Sequence, residues 1–130
     1  MATITNRHLT INHNHAAKSA KVTVTCNANF TAFEMSQMKQ GLRFKLICQL
    51  WGEDSGLTGA DDFLYTIPTA KFFPDGTPNA AENIAFEVTV GEGLLNEDTG
   101  TDEVYARLKL SNLYTMVTVA GNSNVVTHNF

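Results

Sequence analysis

The sequence predicts an all-β protein folded as an antiparallel two-sheet β-sandwich of about seven to eight strands. Two observations predict this class: apolar and polar residues alternate along several segments, and turn residues separate these segments at short intervals. Helical spacing is nearly absent from the chain, whereas parallel strands usually need helical crossovers, so antiparallel pairing is favoured. A closed β-barrel is the structural alternative.

Period-two alternation is clearest in four segments, 19–26, 42–50, 84–90 and 104–110. Three weaker strands are expected at 63–73, broken at Pro68, and at 113–119 and 124–130, which are rich in strand-forming residues. The turn signals lie at 75–78, 91–93, 111–112 and 121–124.

The segment 31–40 is the one place where a short helix competes with a bulged loop. We expect its Phe33, Met35 and Met38 to pack into the core beneath a loop, because methionine fills irregular gaps.

A chain of 130 residues has the usual size of one domain. Residues 19–130 are expected to form the sandwich, and residues 1–18 an N-terminal arm or an edge or exchanged strand. The weak alternation over 3–12 leaves both alternatives open. An exchanged strand would link subunits head to tail into a homo-oligomer or polymer.

Composition and charge exclude several classes of protein. The formal net charge is −4, and no basic stripe is present, which argues against nucleic-acid binding. The first residues do not form a secretory signal peptide, no stretch reaches transmembrane length, and the compartment stays open. Cys26 and Cys48 could pair, but each lies on the apolar face of a strand, which favours free buried thiols.

Two similar acidic loops are the most distinctive feature of the sequence. Glu-Asp, a hydroxyl residue and Gly occur at 53–56 and again at 97–100, and each group is followed by two acids and a Tyr. The loops hold eight of the thirteen carboxylates: Glu53, Asp54, Asp61, Asp62, Glu97, Asp98, Asp102 and Glu103. Between Lys45 and Arg107 the sequence contains one basic residue, Lys71, so local cations do not relieve the repulsion.

Carboxylate and carbonyl oxygens in Gly-containing loops are the ligands that Ca²⁺ requires, so all eight acids are candidate calcium ligands if the loops converge. The alternative is that both loops are soluble turns stabilised by local Asp side-chain bonds. The spacing differs from that of an EF-hand loop.

The segments 54–56 with 61–65, and 98–103, resemble the calcium loops of C2-type β-sandwich domains, which place an acid and Gly before a second acid and an aromatic residue. The resemblance implies Asp54, Asp61, Asp98 and Asp102 as ligands. The spacings differ from those of that family, and the proline that usually follows the second acid is missing.

Trp51 and the histidines are the other candidate site residues. Trp51 falls on the strand face opposite Leu50, so we expect it to face solvent or a neighbouring molecule and to be a candidate ligand-binding residue. His13 and His15 could hold Zn²⁺ or Ni²⁺, but a lone His-x-His near a terminus is more typical of a polar arm, and His128 has no identifiable partner. No nucleophile or phosphate-binding motif occurs, so no catalytic residue is predicted.

The sequence therefore predicts a non-enzymatic structural or adhesive subunit: a sandwich with Ca²⁺-binding loops that self-assembles, with its N-terminal strand as the candidate contact. The alternative is a calcium-dependent module that recognises carbohydrate or another ligand through Trp51.

Overall fold

A computed structural model describes residues 1–53, 61–96 and 101–130. Within these ranges the chain forms eight strands and two short helices. They are β1 (Thr3–Asn14), β2 (Ser19–Asn29), α1 (Ala32–Lys39), β3 (Phe44–Gly52), β4 (Asp62–Phe73), β5 (Ala81–Gly91), α2 (Glu92–Leu95), β6 (Asp102–Asn112), β7 (Thr118–Asn122) and β8 (Val126–His128).

The strands form two antiparallel sheets, which confirms the predicted sandwich rather than the barrel. One sheet has the order β1-β2-β5, and the other has the order β4-β3-β6-β7, with β8 also paired to β6. Three of the four strongly alternating segments lie in the inner strands β2, β3 and β6, and the fourth, 84–90, lies in the edge strand β5. Each of these strands has one face in the core. In β3, for example, Phe44, Leu46, Cys48 and Leu50 are buried while the residues between them are half-buried.

Cys26 and Cys48 lie in this core as free thiols, as the sequence favoured. Burial raises the pKa of Cys26 to about 11 and that of Cys48 to about 12. Both groups are therefore protonated at neutral pH and pack as small apolar side chains.

The prediction of a loop at 31–40 was wrong, because α1 forms there. Thr31 and Glu34 make a reciprocal capping box: the Thr31 hydroxyl accepts from the Glu34 amide at 3.1 Å, and Oε1 of Glu34 accepts from the Thr31 amide at 2.8 Å. Met38 is buried, as expected, and Met35 packs against the core. Phe33 is 72% exposed, so its predicted place in the core was also wrong.

Two strand predictions also needed correction. β4 runs through Pro68, because β4 is an edge strand and its register shifts between Ile67 and Lys71, where a missing amide hydrogen is tolerated. The predicted strand at 113–119 begins only at Thr118, and the residues before it form an exposed turn between β6 and β7.

β1 is an edge strand that pairs with β2 of the same chain. Ile4 and Leu9 are both buried although they are an odd number of positions apart, which a regular strand does not allow. The register of β1 against β2 shifts between Thr5 and His8, where Asn6 has φ 53°. This irregularity lets both Ile4 and Leu9 point into the core. Leu9 is then hydrogen-bonded through its amide and carbonyl to the side chain of Asn124, at 2.8 and 3.1 Å.

Candidate functional site

The flanks of the two acidic loops meet at one end of the five-stranded sheet. Gly52 at the end of β3 pairs with Asp62 in β4 and with Val104 in β6. The Glu53 amide also donates to the Glu103 carbonyl at 2.8 Å. We call this end of the sandwich, formed by residues 52–53, 61–63 and 102–103, the acidic end. The topology thus brings together Glu53 and Glu103, which are 50 positions apart in the sequence.

The five predicted calcium ligands within the described ranges differ in exposure. Asp62 is exposed, Glu53, Asp61 and Glu103 are half-buried, and Asp102 is 2% exposed. Among the residues that the structure describes, the potential metal ligands that meet as a group of three lie elsewhere, so these five acids do not complete a calcium shell by themselves.

The remaining predicted ligands, Asp54, Glu97 and Asp98, lie outside the described residues.

Tyr105 connects the acidic end to the outer face of the sheet. Its hydroxyl donates to Oδ2 of Asp61 at 2.7 Å and accepts from Nη2 of Arg107 at 3.3 Å. Desolvation and then the hydrogen bond to Asp61 raise the pKa of Tyr105 to about 12, against the opposing charge of Arg107. Tyr105 is therefore a neutral phenol that holds Asp61 in place.

Trp51 packs against residues of its own chain, which neither sequence-based alternative anticipated. The Arg107 guanidinium lies 4.6 Å from the ring centroid, and the Phe63 ring meets it edge-on at 5.6 Å. The indole nitrogen donates to Gln49 at 3.2 Å. Phe63 in β4 pairs directly with Trp51, and Arg107 in β6 pairs with Gln49, two positions before Trp51 in β3, so all of them lie on the same face of the sheet. Phe63 remains 50% exposed beside the carboxylates.

The opposite end of the sandwich carries an apolar groove, which the sequence analysis missed. It encloses about 810 Å³ between α1, the start of β3 and the turn that follows β6. Phe33 is 72% exposed, Tyr114 87% and Leu113 38%, and Arg43 lies on the rim. Met116 next to it is 70% exposed. The apolar residues within 113–117 could have indicated an exposed apolar surface, but we interpreted this segment as part of a strand.

A second cluster contains the histidines. His13 at the end of β1, His15 in the following turn and Glu92 at the start of α2 bring their ligand atoms within 4.8 Å of one another. His128 in β8 lies 3.0 Å from His13, ring nitrogen to ring nitrogen. The hydrogen bond to His13 is the main reason that the pKa of Glu92 is lowered. The interpretation of His13 and His15 as part of a polar arm was therefore wrong. His128 also has a partner, His13, which the sequence did not identify.

The fold and these surfaces define a β-sandwich of two antiparallel sheets with an apolar groove at one end and carboxylates at the other. No helix among the described residues is long and apolar enough to cross a membrane.

Comparisons with known proteins add no family. No family model matches the chain, and no curated protein matches it. One solved structure, described as the X-ray structure of Northeast Structural Genomics Consortium target SoR45, is similar to 98% of this chain and 85% of its own, with a TM-score of 0.43 and 10% identity.

Proposed function

We propose that this protein is a non-enzymatic association module whose copies bind head to tail, groove to acidic end, in the presence of Ca²⁺. The observation that carries the proposal is the placement of the two surfaces. β3 runs from Phe44 beside the groove to Gly52 at the acidic end, which separates the two by about 30 Å of strand. Two different surfaces at opposite ends of one chain make a heterologous contact, which forms an open chain of copies unless the rotation closes it into a ring.

The groove supplies the apolar part of such a contact. Phe33, Leu113 and Tyr114 line the groove with exposed apolar surface, and Met116 follows them in the sequence with 70% exposure. Neighbouring exposed apolar side chains of this kind are candidate interaction surfaces. Fully burying one such side chain contributes about 1.5–3 kcal/mol. Phe63, half-exposed at the acidic end, is the apolar residue that we assign to the groove of the next copy.

Charge complementarity favours the same orientation. Arg43 lines the groove and Lys39 lies in the last turn of α1, although Glu34 also lines the groove. The acidic end carries five described carboxylates, and by sequence Asp54, Glu97 and Asp98 belong to the same two loops. Two cations cannot offset this charge, and burying the excess would be costly.

In this proposal, bound calcium offsets the excess negative charge of the acidic end. Ca²⁺ takes six to eight oxygens in flexible geometry, and the described flanks of the two loops meet where the Glu53 amide donates to the Glu103 carbonyl. A bound ion would neutralise the acids and let this end be buried. We therefore expect association to require calcium, and chelation to lower the melting temperature, because an ion that binds only the folded chain stabilises it by mass action.

In this association the two ends of the sandwich make the contact, and the N-terminal strand is not exchanged between copies. β1 pairs with β2 of the same chain from Thr3 to Asn14, and Asn124 occupies the hydrogen-bonding groups of Leu9. Separating β1 from its own chain would break these bonds before new ones form.

Sedimentation velocity over a concentration series, in calcium and in chelator, tests the proposal. We expect species that grow beyond a dimer in calcium and a monomer in chelator. Tyr114→Ser should abolish growth, since Tyr114 is 87% exposed and its loss leaves the core intact. The matched control is Val125→Ser, which removes a 43% exposed apolar residue that does not line the groove. A monomer under both conditions, or growth of the Tyr114 variant like that of wild type, would contradict the proposal.

The second candidate is calcium-dependent recognition of carbohydrate. The Trp51–Phe63 pair beside the acidic end favours it, because aromatic rings next to carboxylates suit sugar rings and their hydroxyls. Arg107 occupies one face of Trp51, so Phe63 offers the more open surface. Calcium-dependent binding on a glycan array that Trp51→Ala removes, with a mass indifferent to calcium, would favour this candidate over association.

A further inference from the structure

The histidine cluster joins three parts of the chain that are distant in sequence. His13 lies 79 positions before Glu92 and 115 before His128. β1, the turn after it, the start of α2 and β8 therefore meet at one point. Nothing in the association proposal uses this cluster.

The distances fit a shared ion. Nε2 of His13 lies 2.7 Å from Oε2 of Glu92, and Nδ1 of His15 lies 3.6 Å from the same oxygen. Tetrahedral zinc with bonds of about 2.0–2.2 Å holds its ligand atoms roughly 3.3–3.6 Å apart. The His15–Glu92 spacing already meets this value, and the His13–Glu92 contact would have to open by less than about 1 Å. The ligand atoms of His13 and His15 lie within 4.8 Å of each other, so the exposed His15 would have to move closer by about 1 Å.

The burial of the three side chains suits a partly preformed site. The His13 side chain is 10% exposed and that of Glu92 is 20% exposed, so both are held by their surroundings. The rings of His128 and Phe130 pack around His13 at centroid distances of 5.1 and 5.4 Å. His15 is 87% exposed, which gives an ion access and lets the imidazole close over it.

His128 supplies the contact that orients a metal-binding histidine. When Nε2 of His13 binds a metal, its Nδ1 carries the hydrogen and can donate to Nε2 of His128, 3.0 Å away. Ligating histidines almost always make such a second hydrogen bond, which fixes the ring and its tautomer. Without a metal, the opposite tautomer satisfies the same contacts: Nε2 of His13 donates to Glu92, and Nδ1 accepts from Nε2 of His128. Zinc would therefore reverse the direction of the His13–His128 hydrogen bond.

We propose that His13, His15 and Glu92 bind one borderline divalent transition-metal ion, of which Zn²⁺ is the representative, and that His128 positions His13. The ligand chemistry selects this class of ion, because imidazole suits zinc, copper and nickel whereas calcium prefers oxygen. The fourth position is open to water through the exposed side of His15. The ion ties β1 to α2, and through His13 to β8.

Zinc titration of the full chain by calorimetry, in excess Ca²⁺, tests the proposal. We expect one Zn²⁺ per chain, bound with calcium present. His15→Ala and Glu92→Gln should each weaken binding by at least about tenfold, and His128→Ala by about tenfold as a positioning residue. His8→Ala is the matched control, because His8 is an exposed histidine of the same strand outside the cluster. Its affinity should equal that of wild type.

Imidazole nitrogen NMR on the same samples distinguishes ligation from a structural effect. We expect zinc to bind Nε2 of His13 and Nδ1 of His15, while Nδ1 of His13 carries the hydrogen. His15→Ala is the informative variant because the exposed side chain can be removed without loss of fold. No saturable binding, or equal affinity in the His15, Glu92 and His8 variants, would overturn the proposal.

Discussion

Asn124→Ala tests how the first strand is attached to the rest of the sandwich. The Asn124 amide accepts from the Leu9 amide at 2.8 Å and donates to the Leu9 carbonyl at 3.1 Å, both partly buried. The Asn124 side chain therefore bonds to the edge of β1 as the backbone of a neighbouring strand would. Alanine removes both bonds and leaves both backbone groups of Leu9 without this partner.

The expected loss follows from these two bonds. Each contributes about 0.5–1.5 kcal/mol net, and an unsatisfied buried group costs about 1–3 kcal/mol. We expect the free energy of unfolding to fall by about 2 kcal/mol. For a chain of this size that corresponds to roughly 8 °C in the melting temperature.

Urea unfolding followed by circular dichroism measures this loss. The slope of free energy against urea should not change, because the native surface stays nearly the same. Asn83→Ala, an exposed residue of β5, is the control and should stay within about 0.5 kcal/mol of wild type. A loss for Asn124→Ala no larger than that of the control would refute the reasoning.

Three further predictions concern α1, the core thiols and Glu92. Thr31→Ala should lower the free energy of unfolding by about 1 kcal/mol, measured by urea unfolding, because it removes half of the capping box. A thiol reagent at neutral pH should leave Cys26 and Cys48 unmodified until the chain unfolds, since burial raises both pKa values. The lowered pKa of Glu92 makes its carboxylate stabilising above the ordinary value of 4.5, and this stability is lost as the pH falls through the lower folded pKa. Glu92→Gln should therefore flatten the stability profile in acid.

Other outcomes would contradict these predictions. An unchanged unfolding curve for Thr31→Ala would mean that α1 is held by tertiary packing alone. Rapid modification of either thiol in the folded chain would contradict its burial. Equal acid profiles for wild type and Glu92→Gln would contradict the His13 hydrogen bond as the cause of the lowered pKa.

The sequence alone predicted those parts of the fold that depend on local alternation. β2, β3, β5 and β6 repeat buried and exposed positions with period two, so one face of each was evident. The capping signal at Thr31 and Glu34 was also local, but we gave the methionines more weight and predicted a loop.

The candidate sites depend on pairings that the sequence does not contain. Glu53 meets Glu103, and His13 meets His128, only because β3 lies beside β6 and the ends of the chain lie together. The exposure of Tyr114 and Phe33 likewise depends on where the turn and α1 rest. Strand order and chain closure are non-local properties, so alternation identified the residues but not their neighbours.

Mixing two disabled variants tests head-to-tail association most directly. Tyr114→Ser removes the groove contact, and the double variant Asp62→Lys, Phe63→Ser changes two exposed residues of the acidic end. In calcium each should sediment as a monomer, because every copy lacks the same surface. Their equimolar mixture should form a heterodimer and grow no further, since one intact groove meets one intact acidic end. A mixture that stays monomeric, or an acidic-end variant that dimerises by itself through its grooves, would contradict the account.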